Sequence, residues 1–240
     1  MTDPQPRELQ ALFASAKCVY FDFDGPVCNL FSGHTSTRIA ALLAGELVAA
    51  GSDPGLAGGP ACESDPLAIL KAVADAGPNR ELVARLESRL TQEEVTAAGS
   101  ADPTEDADRL IRTLHRLGYG LAVTTNNSPE AVARYLGRRG TAHLFGGRVH
   151  GRVPGNPWLL KPHPDCLVRA LESTGTAAAD ALMIGDSRAD LLAADALGMP
   201  FIGYARNDDK RRALGAGPGV VVRQLTTLAH ALDVASAEQG

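Results

Sequence analysis

The 240-residue chain lacks closely spaced cysteines. Its four cysteines stand far apart and form no CxxC pair; they are Cys18, Cys28, Cys62 and Cys166. Structural zinc sites and redox-active pairs use closely spaced cysteines, and disulfide frameworks use many of them in a short chain. The pattern therefore argues against a zinc site and against a disulfide framework. It predicts reduced thiols in a cytoplasmic protein.

Long apolar runs and an excess of positive charge are also missing. No apolar stretch approaches the roughly 18 residues of a membrane span, and the polar N-terminus does not look like a signal peptide. The net charge is −5 and the isoelectric point is about 5.7. This balance disfavours a general nucleic-acid or anionic-membrane surface, so we expect neither a nucleic acid nor a membrane as a partner.

Lysine is scarce as well. Only four of the 23 basic residues are lysines: Lys17, Lys71, Lys161 and Lys210. Arginine and lysine are not interchangeable in proteins, because the ammonium group is a compact point charge and the guanidinium group is a planar fork. A chain that prefers arginine this strongly has a reason for each lysine it keeps, which draws attention to Lys161.

Apolar runs of strand length alternate with helix-length segments in most of the chain. Hydrophobic residues make up 45% of the composition, enough for a buried core. Strands are predicted at 17–23, 119–126, 179–186, 199–205 and 219–224. Strands separated by helices, without hairpin signals, indicate βαβ units. The predicted fold class is therefore α/β with a doubly wound parallel sheet.

The segment between the first two predicted strands has only helical patterns. Leucine, isoleucine and valine recur at helical spacing in 35–51, 65–77 and 79–99, with a Gly- and Pro-rich break at 51–60. These patterns predict an all-helical insertion. We therefore expect two domains: an α/β core formed by residues 1–25 and 103–240, and a helical cap formed by residues 26–102.

Polar residues collect at the predicted strand ends, where ligands bind in open α/β sheets. The set comprises Asp22, Asp24, Thr125, Asn126, Lys161, Asp186 and Asp190. Clustered carboxylates suit a hard cation such as Mg²⁺, whereas a lysine, a hydroxyl and helix N-terminal amides suit a phosphate. A carboxylate held beside such a phosphate can attack phosphorus and form an aspartyl-phosphate.

Four short motifs contain these residues: "DFDGPV", "VTTN", "KPHPD" and "GDSRADLLAADALGM". In this order and strand context they resemble the motifs of the haloacid dehalogenase superfamily, and most closely its phosphoglycolate-phosphatase-like branch with a helical cap. The resemblance spans about residues 19–222, and its first and fourth motifs are the specific ones. It implies a Rossmann-like core and a Mg²⁺-dependent phosphatase for a small phosphorylated metabolite. We expect a monomer or a homodimer.

The resemblance also implies roles for the four acidic residues. Asp22 would be the nucleophile, and Asp24 would be the acid/base that also offers its backbone carbonyl to Mg²⁺. Asp186 would bind the metal, with Asp190 supporting it from outside the ligand set. Asp22 would be a metal ligand as well. Taken singly, such acids also end strands and cap helices without any catalytic role.

The same resemblance implies that Thr125 and Lys161 hold the phosphate, with Asn126 beside them. Threonine and asparagine also stabilise ordinary turns, so the motif context carries this interpretation. One departure concerns Pro26, where the family often has threonine or valine. Because proline has no N–H and a fixed φ, we expect a difference at the hinge or in the phosphate-binding loop.

Other functions compete with a phosphatase. A phosphomutase of the same superfamily keeps all four motifs, and a non-catalytic phosphate-binding regulatory protein also places carboxylates, a threonine and a lysine at sheet ends. The helical insertion argues against a receiver-type regulator, and the presence of Asp22, Asp24, Lys161 and Asp186 argues against an inactive member. A dehalogenase does not use the second aspartate, and a phosphonate hydrolase needs a cap lysine, for which Lys71 has no distinguishing context.

Overall fold

The computed structural model describes residues 6–77, 79–215 and 219–237. Its main feature is a six-stranded parallel sheet, accompanied by a separate two-stranded ribbon. In chain order the strands are β1 (Cys18–Phe21), β2 (Cys28–Asn29), β3 (Asp102–Pro103), β4 (Gly120–Thr124), β5 (Val149–His150), β6 (Ala181–Gly185), β7 (Phe201–Tyr204) and β8 (Val220–Val222).

The order of strands in the main sheet is β5-β4-β1-β6-β7-β8. From β1 the chain winds outward to β4 and β5, then returns to the other side of β1 with β6 and continues to β8. The winding direction therefore reverses at β1, and this is where open α/β sheets bind ligands. The predicted doubly wound α/β fold is confirmed.

Strand β1 is buried along its whole length. Its side chains alternate between the apolar clusters on the two faces of the sheet, as the twofold period of a strand requires. The strand is shorter than the predicted run 17–23. Nevertheless, the N–H of Asp22 still bonds the carbonyl of Ile184 at 2.9 Å, so the pairing carries Asp22 to the carboxyl edge.

Helices cover both faces of the sheet. In chain order they are α1 (Pro6–Ser15), α2 (Ser36–Ala49), α3 (Pro66–Asp75), α4 (Arg80–Ser100), α5 (Ala107–Arg116), α6 (Pro129–Arg139), α7 (Ala142–Phe145), α8 (Asp165–Thr174), α9 (Arg188–Asp195), α10 (Asp208–Leu214) and α11 (Leu225–Ala237). One face packs against α1, α5, α6, α7 and α11, and the other against α8, α9 and α10. Helix α1 was not predicted from the sequence. Within the described ranges, no helix is both long and apolar enough to cross a membrane.

The three helices predicted in the insertion are confirmed as α2, α3 and α4. They share an apolar cluster of their own, which includes Leu43, Leu70 and Leu86. Helix α4 extends beyond that cluster, because Ala97 and Ala98 near its C-terminal end pack into the apolar cluster of the main sheet. The boundary between core and cap stays a prediction.

The expectation of an exclusively helical insertion is wrong at its ends. Strands β2 and β3 pair antiparallel there, with Cys28 opposite Pro103 and Asn29 opposite Asp102. Each strand has two residues, too few for an alternating pattern to be visible in the sequence. This ribbon joins the two chain segments that connect the main sheet to the insertion.

Gly185 has no room for a side chain, since a Cβ there would lie 2.5 Å from the Cβ of Asp190. Gly185→Ala is expected to lower the free energy of unfolding by about 1–3 kcal/mol, the usual cost of overpacking. Gly137, on the exposed side of α6, is the control, because its added Cβ meets nothing within 4 Å. Gly137→Ala should stabilise by up to about 1 kcal/mol. Urea unfolding measures both, and equal unfolding free energies would contradict the expectation.

Candidate active site

Lys161 lies at the centre of the polar residues at the carboxyl edge. Its ammonium group donates to Asp22 Oδ1 at 2.8 Å, to the carbonyl of Thr124 at 2.9 Å and to Asp190 Oδ1 at 2.5 Å. Burial alone would lower the pKa of Lys161, but the charges of Asp190 and Asp22 outweigh it and hold this pKa above its ordinary value. Lys161 is thus a fixed cation between two carboxylates.

Three carboxylates converge around this lysine. One oxygen from each of Asp22, Asp186 and Asp190 lies within 4.8 Å of the others. Burial and the neighbouring charge of Asp190 raise the pKa of Asp22 to about 7. Burial also raises the pKa of Asp186 to about 6, against the opposing effect of Lys210. Like charges this close repel one another, so the cluster is compatible with a bound cation.

Asp190 uses both of its oxygens inside the protein. Oδ1 accepts from Lys161, and Oδ2 accepts from the N–H groups of Asp186 and Ser187 at 3.2 and 3.0 Å and from the Ser187 hydroxyl at 2.7 Å. Among the described contacts, Asp22 and Asp186 each have one oxygen held by a lysine. Asp22 and Asp186 are therefore the members of the cluster with oxygens available to a ligand.

Asp24 stands apart from this three-carboxylate cluster but lines the same cavity as Asp22. Its Oδ1 accepts the N–H of Leu30 at 2.9 Å. Burial raises the pKa of Asp24, although the hydrogen bond from Leu30 opposes that rise. A carboxyl group with a raised pKa is suited to carry a proton. Its metal contact through the backbone carbonyl stays a prediction.

The sharp turn after Asp24 requires glycine at position 25. Gly25 has a φ of 126°, and a Cβ there would lie 2.4 Å from the carboxyl group of Asp186. The N–H groups of the two residues after Pro26 both bond the carbonyl of Phe23, at 3.3 and 3.1 Å. The turn is therefore closed without an N–H at Pro26, which explains how the chain accommodates proline in this motif.

The loop after β4 is joined to Lys161 through Asn126. The side-chain oxygen of Asn126 accepts the N–H of Lys161 at 2.7 Å, and its amide nitrogen donates to the carbonyl of Lys161 at 3.3 Å. The buried hydroxyl of Thr125 donates to Asn127 Oδ1 at 3.0 Å. Thr125, Asn126 and Lys161 thus line one cavity with Asp22. Phosphate binding by these three residues stays a prediction.

Several residues line the cavity without having been assigned a role from the sequence, among them Glu94, Arg206 and Lys210. Lys210 donates to Asp186 at 2.7 Å. The scarcity of lysine was a signal for Lys210, but the sequence did not indicate which carboxylate it would contact. Glu94 belongs to α4, and no sequence signal distinguished it from the other acids of that helix.

The cavity itself has a volume of about 330 Å³. Its floor is the carboxyl edge of the main sheet, with Asp22 and Lys161. Its opposite wall comes from the insertion and includes Phe31, Ser36 and Asp65. A ligand of this size would be enclosed between the sheet and the helices of the insertion.

Comparison with known proteins identifies the family. A sequence model described as a haloacid dehalogenase-like hydrolase matches residues 16–198. This match covers more than half of the chain, so the chain belongs to the haloacid dehalogenase-like hydrolase family. The predicted family and the prediction of an enzyme of the hydrolase class are confirmed.

Individual relatives and solved structures agree with this family. The chain is 27% identical to a phosphoglycolate phosphatase of Escherichia coli (strain K12), over 94% of this chain and 96% of the relative. The structure of CbbY from Rhodobacter sphaeroides with phosphate has a TM-score of 0.64 and 19% identity, covering 91% of this chain and 99% of that one. A haloacid dehalogenase-like hydrolase from Streptococcus pneumoniae has a TM-score of 0.61 and 16% identity, covering 90% and 99%.

Proposed function

We propose that this hydrolase is a Mg²⁺-dependent phosphatase that cleaves a small phosphate monoester through an aspartyl-phosphate on Asp22. The observation that carries the proposal is the placement of the Asp22 carboxylate. It lies buried at the floor of the cavity, 2.8 Å from Lys161 and beside Asp186. Likeness to phosphoglycolate phosphatases supports a phosphate ester as the substrate class.

The available carboxylate oxygens of Asp22 and Asp186 are suitable ligands for Mg²⁺. This ion is usually bound by one or two carboxylates together with phosphate oxygens and water, and Asp22 and Asp186 offer such carboxylates. The family resemblance adds the backbone carbonyl of Asp24. When bound, the ion would polarise the phosphoryl group and neutralise the charge that develops on it.

The first half-reaction transfers the phosphoryl group to the enzyme. An oxygen of Asp22 attacks phosphorus and forms an O–P bond while the bond from phosphorus to the leaving oxygen breaks. Lys161 and Thr125 hold the non-bridging oxygens, with Asn126 beside them. Asp24 gives its proton to the leaving oxygen, so the alcohol departs neutral.

The second half-reaction restores the enzyme. A water molecule attacks the phosphorus of the aspartyl-phosphate, and Asp24, now a carboxylate, takes a proton from that water. The bond between phosphorus and the Asp22 oxygen breaks, which releases inorganic phosphate. Asp22 returns to its carboxylate form and Asp24 to its protonated form, ready for another cycle.

We further propose that the insertion acts as a cap and selects small substrates. Closure of such an element excludes water and positions the substrate. A cavity of about 330 Å³ has room for a small metabolite, not for a folded phosphoprotein or a polynucleotide. Because the relatives include phosphoglycolate phosphatases, 2-phosphoglycolate is the first substrate to test.

Release of inorganic phosphate tests the proposed function. With Mg²⁺, the purified protein should release phosphate from p-nitrophenyl phosphate and from one or more small phosphorylated metabolites. EDTA should abolish the release, and excess Mg²⁺ should restore it. Ca²⁺ should restore it poorly, because Ca²⁺ prefers more ligands and longer bonds. Full activity in excess EDTA would contradict the metal requirement, and phosphate binding without release would favour a regulatory protein.

A substitution at Asp24 tests its role as acid and base. Asp24→Asn should slow formation of the phospho-enzyme by about 10²–10⁴-fold for an alkyl phosphate, because asparagine cannot protonate the leaving oxygen. The loss should be much smaller for p-nitrophenyl phosphate, whose leaving group hardly needs a proton. Rapid-quench kinetics measures both substrates.

The control for this experiment is Asp65→Asn, which changes another acid of the cavity wall. Asp65 caps α3 through the N–H of Leu67, a role that asparagine also fills. Asp65→Asn should therefore leave the ratio of the rates for the alkyl phosphate and for p-nitrophenyl phosphate unchanged. An equal loss for both leaving groups in Asp24→Asn would refute the acid/base role.

A further inference from the structure

Arg152, in the loop after β5, is a buried cation outside the chemistry described above, and only 2% of its side chain is exposed. Its guanidinium donates to Glu87 Oε1 and Thr91 Oγ1, both at 3.1 Å, and to the two oxygens of Glu94 at 3.0 and 3.2 Å. It also donates to the carbonyl of Asn126 at 3.0 Å. All five N–H donors of the guanidinium group therefore have an acceptor.

The carboxylate of Glu94 also accepts several hydrogen bonds, and Glu94 has no exposed surface. In addition to the two bonds from Arg152, its Oε1 accepts from the side-chain amide of Asn127 at 3.2 Å, and its Oε2 accepts from the N–H of Ser128 at 2.9 Å. Ser128 is the residue that caps α6. One carboxylate of the insertion thus holds the far end of the loop that begins at Thr125.

These contacts reach Lys161 through Asn126. The Asn126 carbonyl accepts from Arg152, while its side chain forms hydrogen bonds with both the N–H and the carbonyl of Lys161. The chain of bonds therefore runs from α4 of the insertion through Arg152 to both loops that line the floor of the cavity. The contacts extend to Gly155, in the segment before Lys161, whose N–H donates to Glu87 Oε2 at 2.6 Å.

Packing alone does not require this arrangement. Taking charges out of water is costly, and apolar residues of similar volume often stabilise a protein as well as a buried ion pair does. A buried polar network in which every donor and acceptor is matched does favour one arrangement over others, because any displaced group would be left unpaired. The contacts of Arg152 and Glu94 therefore restrict where the loop 125–128 can lie.

We propose that Arg152 and Glu94 are positioning residues for the phosphate. They hold the loop 125–128, and through Asn126 the backbone of Lys161, in the geometry that binds the phosphoryl oxygens. They also fix α4 of the insertion to that loop, so the root of the insertion and the phosphate-binding groups are aligned together. This inference rests on the proposed phosphatase function.

The variants Glu94→Gln and Arg152→Lys test the inference. Glu94→Gln keeps the shape but removes the charge, and Arg152→Lys keeps the charge but removes the planar fork. The control is Glu93→Gln, on the same helix. Glu93 pairs with His34 and with Arg89, both within the insertion.

Inorganic phosphate is the probe, titrated into each protein with Mg²⁺ by calorimetry. Both network variants should bind it about tenfold more weakly or worse, while the control binds like the wild type. Their kcat should fall by about 10–100-fold, within the loss that a displacement of 1 Å can cause. The fall should be equal for an alkyl phosphate and p-nitrophenyl phosphate, because positioning acts on the phosphoryl group and not on the leaving oxygen.

Each other outcome overturns the inference. If the wild type neither binds phosphate nor releases it, the proposed function fails and the inference fails with it. If the wild type is active and the network variants match the Glu93→Gln control, only the inference fails. Unequal effects on the two leaving groups would assign the network to proton transfer. If neither network variant gives a cooperative thermal transition, the network serves folding instead.

Discussion

The mutual repulsion of carboxylates at the carboxyl edge of the sheet is the constraint on which the rest of the site depends. Asp22, Asp186 and Asp190 place oxygens within 4.8 Å of one another in a buried position, where the repulsion between charges is weakly screened. Lys161 offsets part of it through its bonds to Asp22 and Asp190. The close approach also leaves no space for a Cβ at Gly185. A bound divalent cation would offset the remaining repulsion between the carboxylates.

Among the described contacts, the insertion is hydrogen-bonded to the site near both of its ends and is not merely placed over it. At its beginning, the N–H of Leu30 holds the carboxylate of Asp24. Near its end, Glu94 holds the N–H of Ser128 and the side chain of Arg152. The proposed acid/base and the loop proposed to bind phosphate are therefore each hydrogen-bonded to the insertion. If the insertion moves as a cap, it must either keep the contacts of Leu30 and Glu94 or displace Asp24 and the loop after β4.

The sequence predicted the fold class and the residues at strand ends, because the carboxyl ends of parallel strands must meet at one edge of the sheet. Asp22 and Asp186 follow from that rule. The pairing of Arg152 with Glu94 does not, since they are 58 residues apart on different elements. Their contact depends on how α4 packs against the core, and hydrophobic periodicity does not specify that packing. The ribbon of β2 and β3 was not predicted, because strands of two residues are too short to show an alternating hydrophobic pattern.

The most direct test of the account is to find which residue carries phosphate during turnover. The enzyme is mixed with substrate and Mg²⁺, quenched in acid, digested and analysed by tandem mass spectrometry. We expect an acyl phosphate on Asp22, which disappears when Asp22→Asn is treated in the same way or when EDTA is added before the substrate. Phosphate on any other residue of the active wild type, or undiminished turnover by Asp22→Asn, would contradict the account.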